Sequence, residues 1–227
     1  MVGDLKMLKE KLAGKPWITY SLIAVNIVVY LLMTVVGGSE SVNVLLAFGA
    51  KFNPLIALGQ WWRLFTPMFL HIGIEHLILN MVTLYFIGMQ IEMLFGPTRY
   101  LLLYLLSGIG GNLASFAFNP GISAGASTAL FGLFGAFFML AENFKNNPYL
   151  RAYAKQFLLL IILNVAFSFV GNADLSGHLG GLFAGFLLAY IVGLPRKGMI
   201  ERHKRILALI ALVIIYILMW NIGLKNL

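Results

Sequence analysis

Seven long, uninterrupted apolar segments run through this chain, near 17–37, 70–91, 98–118, 125–142, 156–172, 176–194 and 205–223. The hydrocarbon core of a bilayer takes about 20 helical residues to cross, and a backbone inside it must satisfy its own hydrogen bonds. The segments are close to that length and do not alternate, so they predict helices rather than barrel strands. With 60% hydrophobic residues, 11% charged residues and a mean hydropathy of +0.90, a conventional soluble enzyme is excluded. The expected fold is an all-α polytopic membrane protein, with six core helices and a C-terminal seventh.

The net charge of +8 does not point to nucleic acid, because the charges sit in short runs between apolar segments rather than on one face. Their placement reads instead as orientation. With the N-terminus inside, thirteen of the sixteen Lys and Arg residues fall on the cytoplasmic side, and only Lys51, Arg63 and Lys225 fall outside. That puts the C-terminus outside. Asp4 and Glu10 make the N-terminal segment unlike an acid-poor transit peptide, and a bacterial cell membrane is the expected location. The first apolar stretch exceeds a signal-peptide h-region and is expected to be a retained span.

The chain divides into a short basic N-terminal segment (1–16), a six-helix core (17–194) and a basic loop with an appended helix (195–227). The first outer loop, about 38–69, carries Trp61, Trp62, Arg63 and Phe65, a mixture suited to the headgroup interface. Gly38, Pro54 and Gly59 argue against one continuous helix there. The absence of cysteine excludes a disulfide framework, a thiolate metal site and a Cys nucleophile.

Polar residues stand at the start of three apolar segments. His71, His76 and Asn80 open the second, Ser127 the fourth and His178 the sixth. In the expected topology these three segments run in the same direction, so all five residues share a depth in the outer part of the bilayer. A hydroxyl or imidazole in hydrocarbon is costly unless partnered and is a site hypothesis by default. Ser and His are also the minimum pair for nucleophilic acyl transfer.

Gly125, two residues before Ser127, allows the backbone to approach a substrate carbonyl, and a helix start offers free N–H groups to an oxyanion. His76 and Asn80 are i and i+4, share a helical face and can both donate. Gly177, Gly181 and Gly185 form a smooth stripe beside His178, which allows close approach of segments six and four. Each residue also has a simpler reading: Ser127 as a helix cap or packing group, His178 and His71 as packing histidines, Glu75 at the wet rim. Asp174 reads as a solvated loop residue. No carboxylate stands at ligand spacing within the spans, so no metal site is expected.

Over 17–194 the chain resembles the rhomboid intramembrane serine proteases. The resemblance is carried by Trp62-Arg63, His71-x4-His76-x3-Asn80, Glu92-x3-Gly96-x2-Arg99, Gly125-x-Ser127 and His178-x2-Gly181-x3-Gly185, in that order. It implies a rhomboid-like six-helix core in which Ser127 is the nucleophile and His178 the general base of a dyad without a required Asp. His76, Asn80 and the Ser127 backbone N–H would form the oxyanion hole, and Phe131 would pack against His178. Trp62 and Arg63 would shape the first loop, with Glu92 and Arg99 structural at the cytoplasmic end. The implied partners are transmembrane protein substrates and the lipid bilayer, with no cofactor.

Thr128 departs from the Gly that follows the serine in many rhomboids, and its bulk bears on the oxyanion geometry or on the residue accepted at the cut. Two other functions fit a polar cluster in a membrane: a non-catalytic rhomboid-like protein that binds membrane clients, and a transporter. The first typically lacks Ser or His of the dyad. The second calls for broken helices and carboxylates in the spans.

Overall fold

The computed structural model of the chain describes residues 15–170, 174–195 and 200–227. Most of the basic N-terminal segment, and Arg196 and Lys197 before the last helix, lie outside the described residues. So does the end of the segment expected at 156–172.

Helix α1 spans Trp17–Val36. The outer loop that follows is built of α2 (Val42–Phe48), α3 (Asn53–Ala57) and two 3-10 turns, Trp61–Leu64 and Thr66–Phe69. It is broken where glycines and prolines predict a break. Next come α4 (Gly73–Phe95), α5 (Pro97–Phe118), α6 (Ser127–Asn143), α7 (Pro148–Val170), α8 (Leu175–Val192) and α9 (Arg202–Lys225). Among the described residues, α1, α4, α5, α8 and α9 are each long and apolar enough to cross a membrane, and α6 is apolar but shorter at 17 residues. The protein is an all-α polytopic membrane protein.

One boundary differs clearly from expectation. Helix α7 begins at Pro148 rather than near 156, so Arg151 and Lys155 lie within it. Asn147 explains the early start: its Oδ1 accepts from the N–H groups of Tyr149 and Leu150 at 3.0 and 3.2 Å, and Pro148 is pre-set for a first helical position. Both cations are exposed, with aliphatic stems long enough to follow an apolar helix to its rim.

Helix α6 is the centre of the bundle. Its side chains from Thr128 to Phe137 are buried almost without interruption, between α5 and α8. The α6–α8 contact is made by glycines. A β-carbon at Gly181 would overlap the Thr128 carbonyl oxygen, and one at Gly185 would overlap that of Gly132. Backbone therefore meets backbone, which small residues alone permit. Helix α9 closes the far side: the Tyr216 hydroxyl donates to the Leu106 carbonyl at 2.9 Å and Asn226 Nδ2 to that of Ala117 at 2.9 Å.

At the end of the bundle where α1 starts, Glu92 of α4 serves as its N-cap. The carboxylate accepts from the N–H of Ile18 at 3.0 Å and from the N–H and hydroxyl of Thr19 at 2.8 and 2.7 Å. A carboxylate at a helix N-terminus satisfies orphan donors and complements the dipole. Arg99 Nε reaches the Val192 carbonyl at 3.3 Å and ties α5 to the end of α8. Around this core α1, α4 and α9 present apolar side chains such as Val35, Leu79, Phe86 and Leu207 outward. Lipid is the solvent such a surface requires.

Candidate active site

Ser127 is the first residue of α6, where the initial N–H groups of a helix have no intrahelical acceptors. The turn before it needs glycine twice over. Gly125 has φ +138, a region L side chains rarely adopt, and a β-carbon there would lie 2.7 Å from the His76 ring. The segment leading into this turn is pinned to the outer loop by reciprocal bonds between Lys51 and Ser123, at 2.9 and 3.1 Å, and by Gly125 N–H donating to the Pro67 carbonyl at 2.9 Å.

The glycine seam carries α8 close enough for His178 Nε2 to lie 2.9 Å from Ser127 Oγ. His178 is buried, and its ring stacks on Phe131 with centroids 4.3 Å apart and planes 6° from parallel. Phe131 lies one turn after Ser127 on the same helix, so one element positions the hydroxyl and orients the imidazole. Among the described residues no protein group hydrogen-bonds His178 Nδ1. Stacking, rather than a carboxylate, sets the ring plane.

His76 and Asn80 of α4 face this pair. The amide N–H of Ile72 approaches His76 Nδ1 at 3.5 Å, which assigns the proton to Nε2. That Nε2 is 2.8 Å from the point a Gly125 β-carbon would occupy, a point itself 3.5 Å from Ser127 Oγ. Asn80 is buried, its Nδ2 has no acceptor among the described residues, and it lines one small cleft with Ser127, Leu130 and Phe131. His71 is fully buried, and its ring meets His76 edge-on at 5.2 Å, so it backs the His76 ring.

The remaining sequence candidates shape the loop. Arg63 is buried and its guanidinium donates to the carbonyls of Ala50 and Leu46, both at 2.9 Å, and to Gln60 at 2.7 Å. The Trp62 ring is half-exposed and lies edge-on to Trp61 at 6.3 Å. Among the described residues no cluster of His, Asp and Glu has the form of a metal site.

One sequence expectation needs correction. Asp174 is not a solvated loop residue. It is the N-cap of α8, accepting from Gly177 N–H and Ser176 Oγ at 2.9 Å each and from the Ser115 hydroxyl of α5. The Thr128 side chain is buried against Gly111 of α5 and Gly177 of α8. Lys51, passed over in the sequence as an outer-loop charge, is fully buried beside the segment that leads to Ser127.

The family model described as the rhomboid domain matches residues 58–195, and the chain belongs to the rhomboid family. It is 46% identical over 201 residues to rhomboid protease GluP of Bacillus subtilis, covering 88% of this chain and 39% of that protein. RHOMBOID-like protein 1 of Arabidopsis thaliana is 46% identical over 134 residues, 57% of this chain and 34% of its own length. Rhomboid-like protease 3 of Toxoplasma gondii is 36% identical over 183 residues, 76% of this chain and 66% of its own. The chain thus spans well under half of the first two relatives.

Proposed function

We propose that this chain is an intramembrane serine endopeptidase that cleaves transmembrane or membrane-anchored proteins near the outer face of the bilayer. The observation that carries this reading is the 2.9 Å contact between Ser127 Oγ and His178 Nε2 in a buried setting, beside the Asn80 amide, whose Nδ2 has no acceptor among the described residues. For His178 to accept at Nε2, its neutral ring carries the proton on Nδ1. Ser127 Oγ attacks the scissile carbonyl carbon as Nε2 takes its proton. The same proton then passes to the leaving amine, and water hydrolyses the acyl-enzyme with His178 again as base.

The negative charge that develops on the carbonyl oxygen needs donors set in advance. The Ser127 backbone N–H, His76 Nε2 and Asn80 Nδ2 are the groups suited to it, and Gly125 leaves the room for the carbonyl to reach them. A helical substrate must unwind locally, because its carbonyls are internally bonded and sterically closed. Water reaches the site from the outer face, with the N-terminus inside, six helices forming the core and α9 appended. The names of the relatives as rhomboid proteases support the reaction class.

The test is cleavage of a single-span substrate by protein in liposomes, beside Ser127→Ala and His178→Ala. A cut made by the parent and lost in both variants, with serine-directed fluorophosphonate labelling only the parent, bears the proposal out. Normal cutting by Ser127→Ala would overturn the nucleophile assignment. A parent that neither cuts nor labels turns attention to client binding without catalysis.

A further inference from the structure

A buried cation and a half-buried carboxylate flank the candidate dyad without touching its reacting atoms. Lys51 is fully buried, and its Nζ donates to Asn53 Oδ1 at 3.1 Å, the Asn119 carbonyl at 2.5 Å and the Gly121 carbonyl at 2.8 Å. The last two lie at the start of the segment that ends on Ser127. The backbone of Lys51 pairs with Ser123 in the same segment. Asn53 in turn donates to the Phe116 carbonyl at the end of α5, at 3.0 Å. One side chain therefore ties the outer loop, α5 and the Ser127 segment together.

Asp174 holds the other half. Its carboxylate caps α8 through Gly177 N–H, and its carbonyl accepts from His178 N–H at 3.0 Å. The Ser115 hydroxyl brings α5 to the same carboxylate. Burial would raise the Asp174 carboxyl, but donation from Ser115, Gly177, the nearby Ser123 and Ser176 outweighs it and leaves the group below its ordinary value. It is a carboxylate at neutral pH. Burial lowers the Lys51 ammonium to about 8, against the opposing pull of Asp174, so it stays charged at neutral pH. The other cation near Lys51 is Arg63, which donates to the carbonyl of the adjacent Ala50.

We propose that Lys51 and Asp174 are positioning residues, which both anchor on the end of α5, Lys51 at the Asn119 carbonyl and Asp174 at Ser115, and so register the segment that leads into Ser127 against the helix that carries His178. The two catalytic elements are far apart in sequence, and the Ser127–His178 distance depends on where each begins. A buried charge that satisfies three acceptors, or caps a helix, fixes such a start more sharply than apolar packing, because misplacing it strands polar groups. The inference rests on the protease reading, since it assigns roles in that reaction.

The test is a cycle of Lys51→Met, Asp174→Asn and the double variant in liposomes, with Lys51→Arg and Ser115→Ala alongside. The readouts are kcat and KM on a single-span substrate, fluorophosphonate labelling of Ser127, and thermal unfolding. Misplacement of reacting groups by fractions of an ångström lowers kcat by about ten- to a hundredfold and leaves KM nearly unchanged. Expected, then, are a fall of that size in each single variant, a double no worse than the poorer single, and partial recovery with Lys51→Arg.

If Lys51→Met or Asp174→Asn does not fold, Ser115→Ala decides, with a smaller fall in kcat and in labelling at unchanged unfolding temperature. Folded variants with parental kcat, or losses that simply multiply in the double, would overturn the inference while the parent still cuts. A parent that neither cuts nor labels overturns both this role and the protease reading.

Discussion

The pair Ser127–His178 and the pair His76–Asn80 are held in opposite ways. The first sits on a seam where α6 and α8 meet backbone to backbone, with Gly181 against Thr128 and Gly185 against Gly132 leaving no space for a single added carbon. The second sits on α4, which turns Leu79, Val82 and Phe86 outward and is interrupted by a π-helical turn at Leu84–Gly88. Such turns interrupt the regular bonding of a helix and recur at functional sites. The proposed nucleophile and base therefore depend on steric exclusion, which fails abruptly. The proposed oxyanion donors depend on side-chain contacts along one face, which fail by degrees.

The largest expected effect tests the seam directly. Gly185→Leu forces a side chain into the Gly132 backbone, and α8 must separate from α6. Cleavage and fluorophosphonate labelling should both vanish, although Gly185 touches neither reacting atom. Leu79→Ala on the outward face of α4 should leave labelling intact. Equal, mild losses in both variants would show that the two regions are not held differently. Next in size are His76→Ala and Asn80→Ala. Each should lower kcat by about a hundred- to a thousandfold, the usual cost of one oxyanion donor, with Ser127 still able to be labelled slowly. A KM effect alone would move them from the transition state to substrate binding.

Much of this contrast was readable in the chain itself. The apolar runs place the long helices to within a few residues, because hydrocarbon leaves helix formation as the way to satisfy the backbone. The stripe of Gly177, Gly181 and Gly185 marks the seam, since a four-residue spacing puts all three on one face. The five polar residues are visible as exceptions in apolar surroundings, and the structure puts Ser127 and Asn80 on one cleft, with His178 against Ser127 and His71 against His76. What escaped the sequence depends on pairing across long separations. Lys51 meets Asn119 only after helices dock, and no local pattern distinguishes it from a loop charge; Asp174 stands where a helix N-cap is local, but its bond to Ser115 is not. Nor does any local pattern show that Thr128 packs against Gly111 and Gly177. The early start of α7 is different, because Asn147-Pro148 is a cap signal that apolar length alone overlooks.

Phe131 offers an intermediate test, since it belongs to the seam but acts on His178 through one ring face. Phe131→Ala frees the imidazole to rotate and opens space beneath it. A fall in kcat of about tenfold is expected from lost orientation. Phe131→Tyr keeps the stacked face and should retain most of the activity. Equal losses in the two variants would assign the effect to the cleft rather than to the stack.

The smallest effect on catalysis should come from the far end of the bundle, where Glu92 caps α1. Glu92→Gln keeps an acceptor for one donor but removes the charge that complements the helix dipole and serves three donors at once. The expected cost is about 1–3 kcal/mol of stability, read as a lower unfolding temperature in detergent. Helix α1 makes no hydrogen bond to the Ser127–His178 pair among the described residues, so kcat on a single-span substrate should be unchanged below the new transition. A kcat loss at full stability would mean that α1 bears on α4 strongly enough to move His76 and Asn80. The oxyanion side would then be as tightly determined as the seam, and the contrast between the two regions would fail at its weaker end.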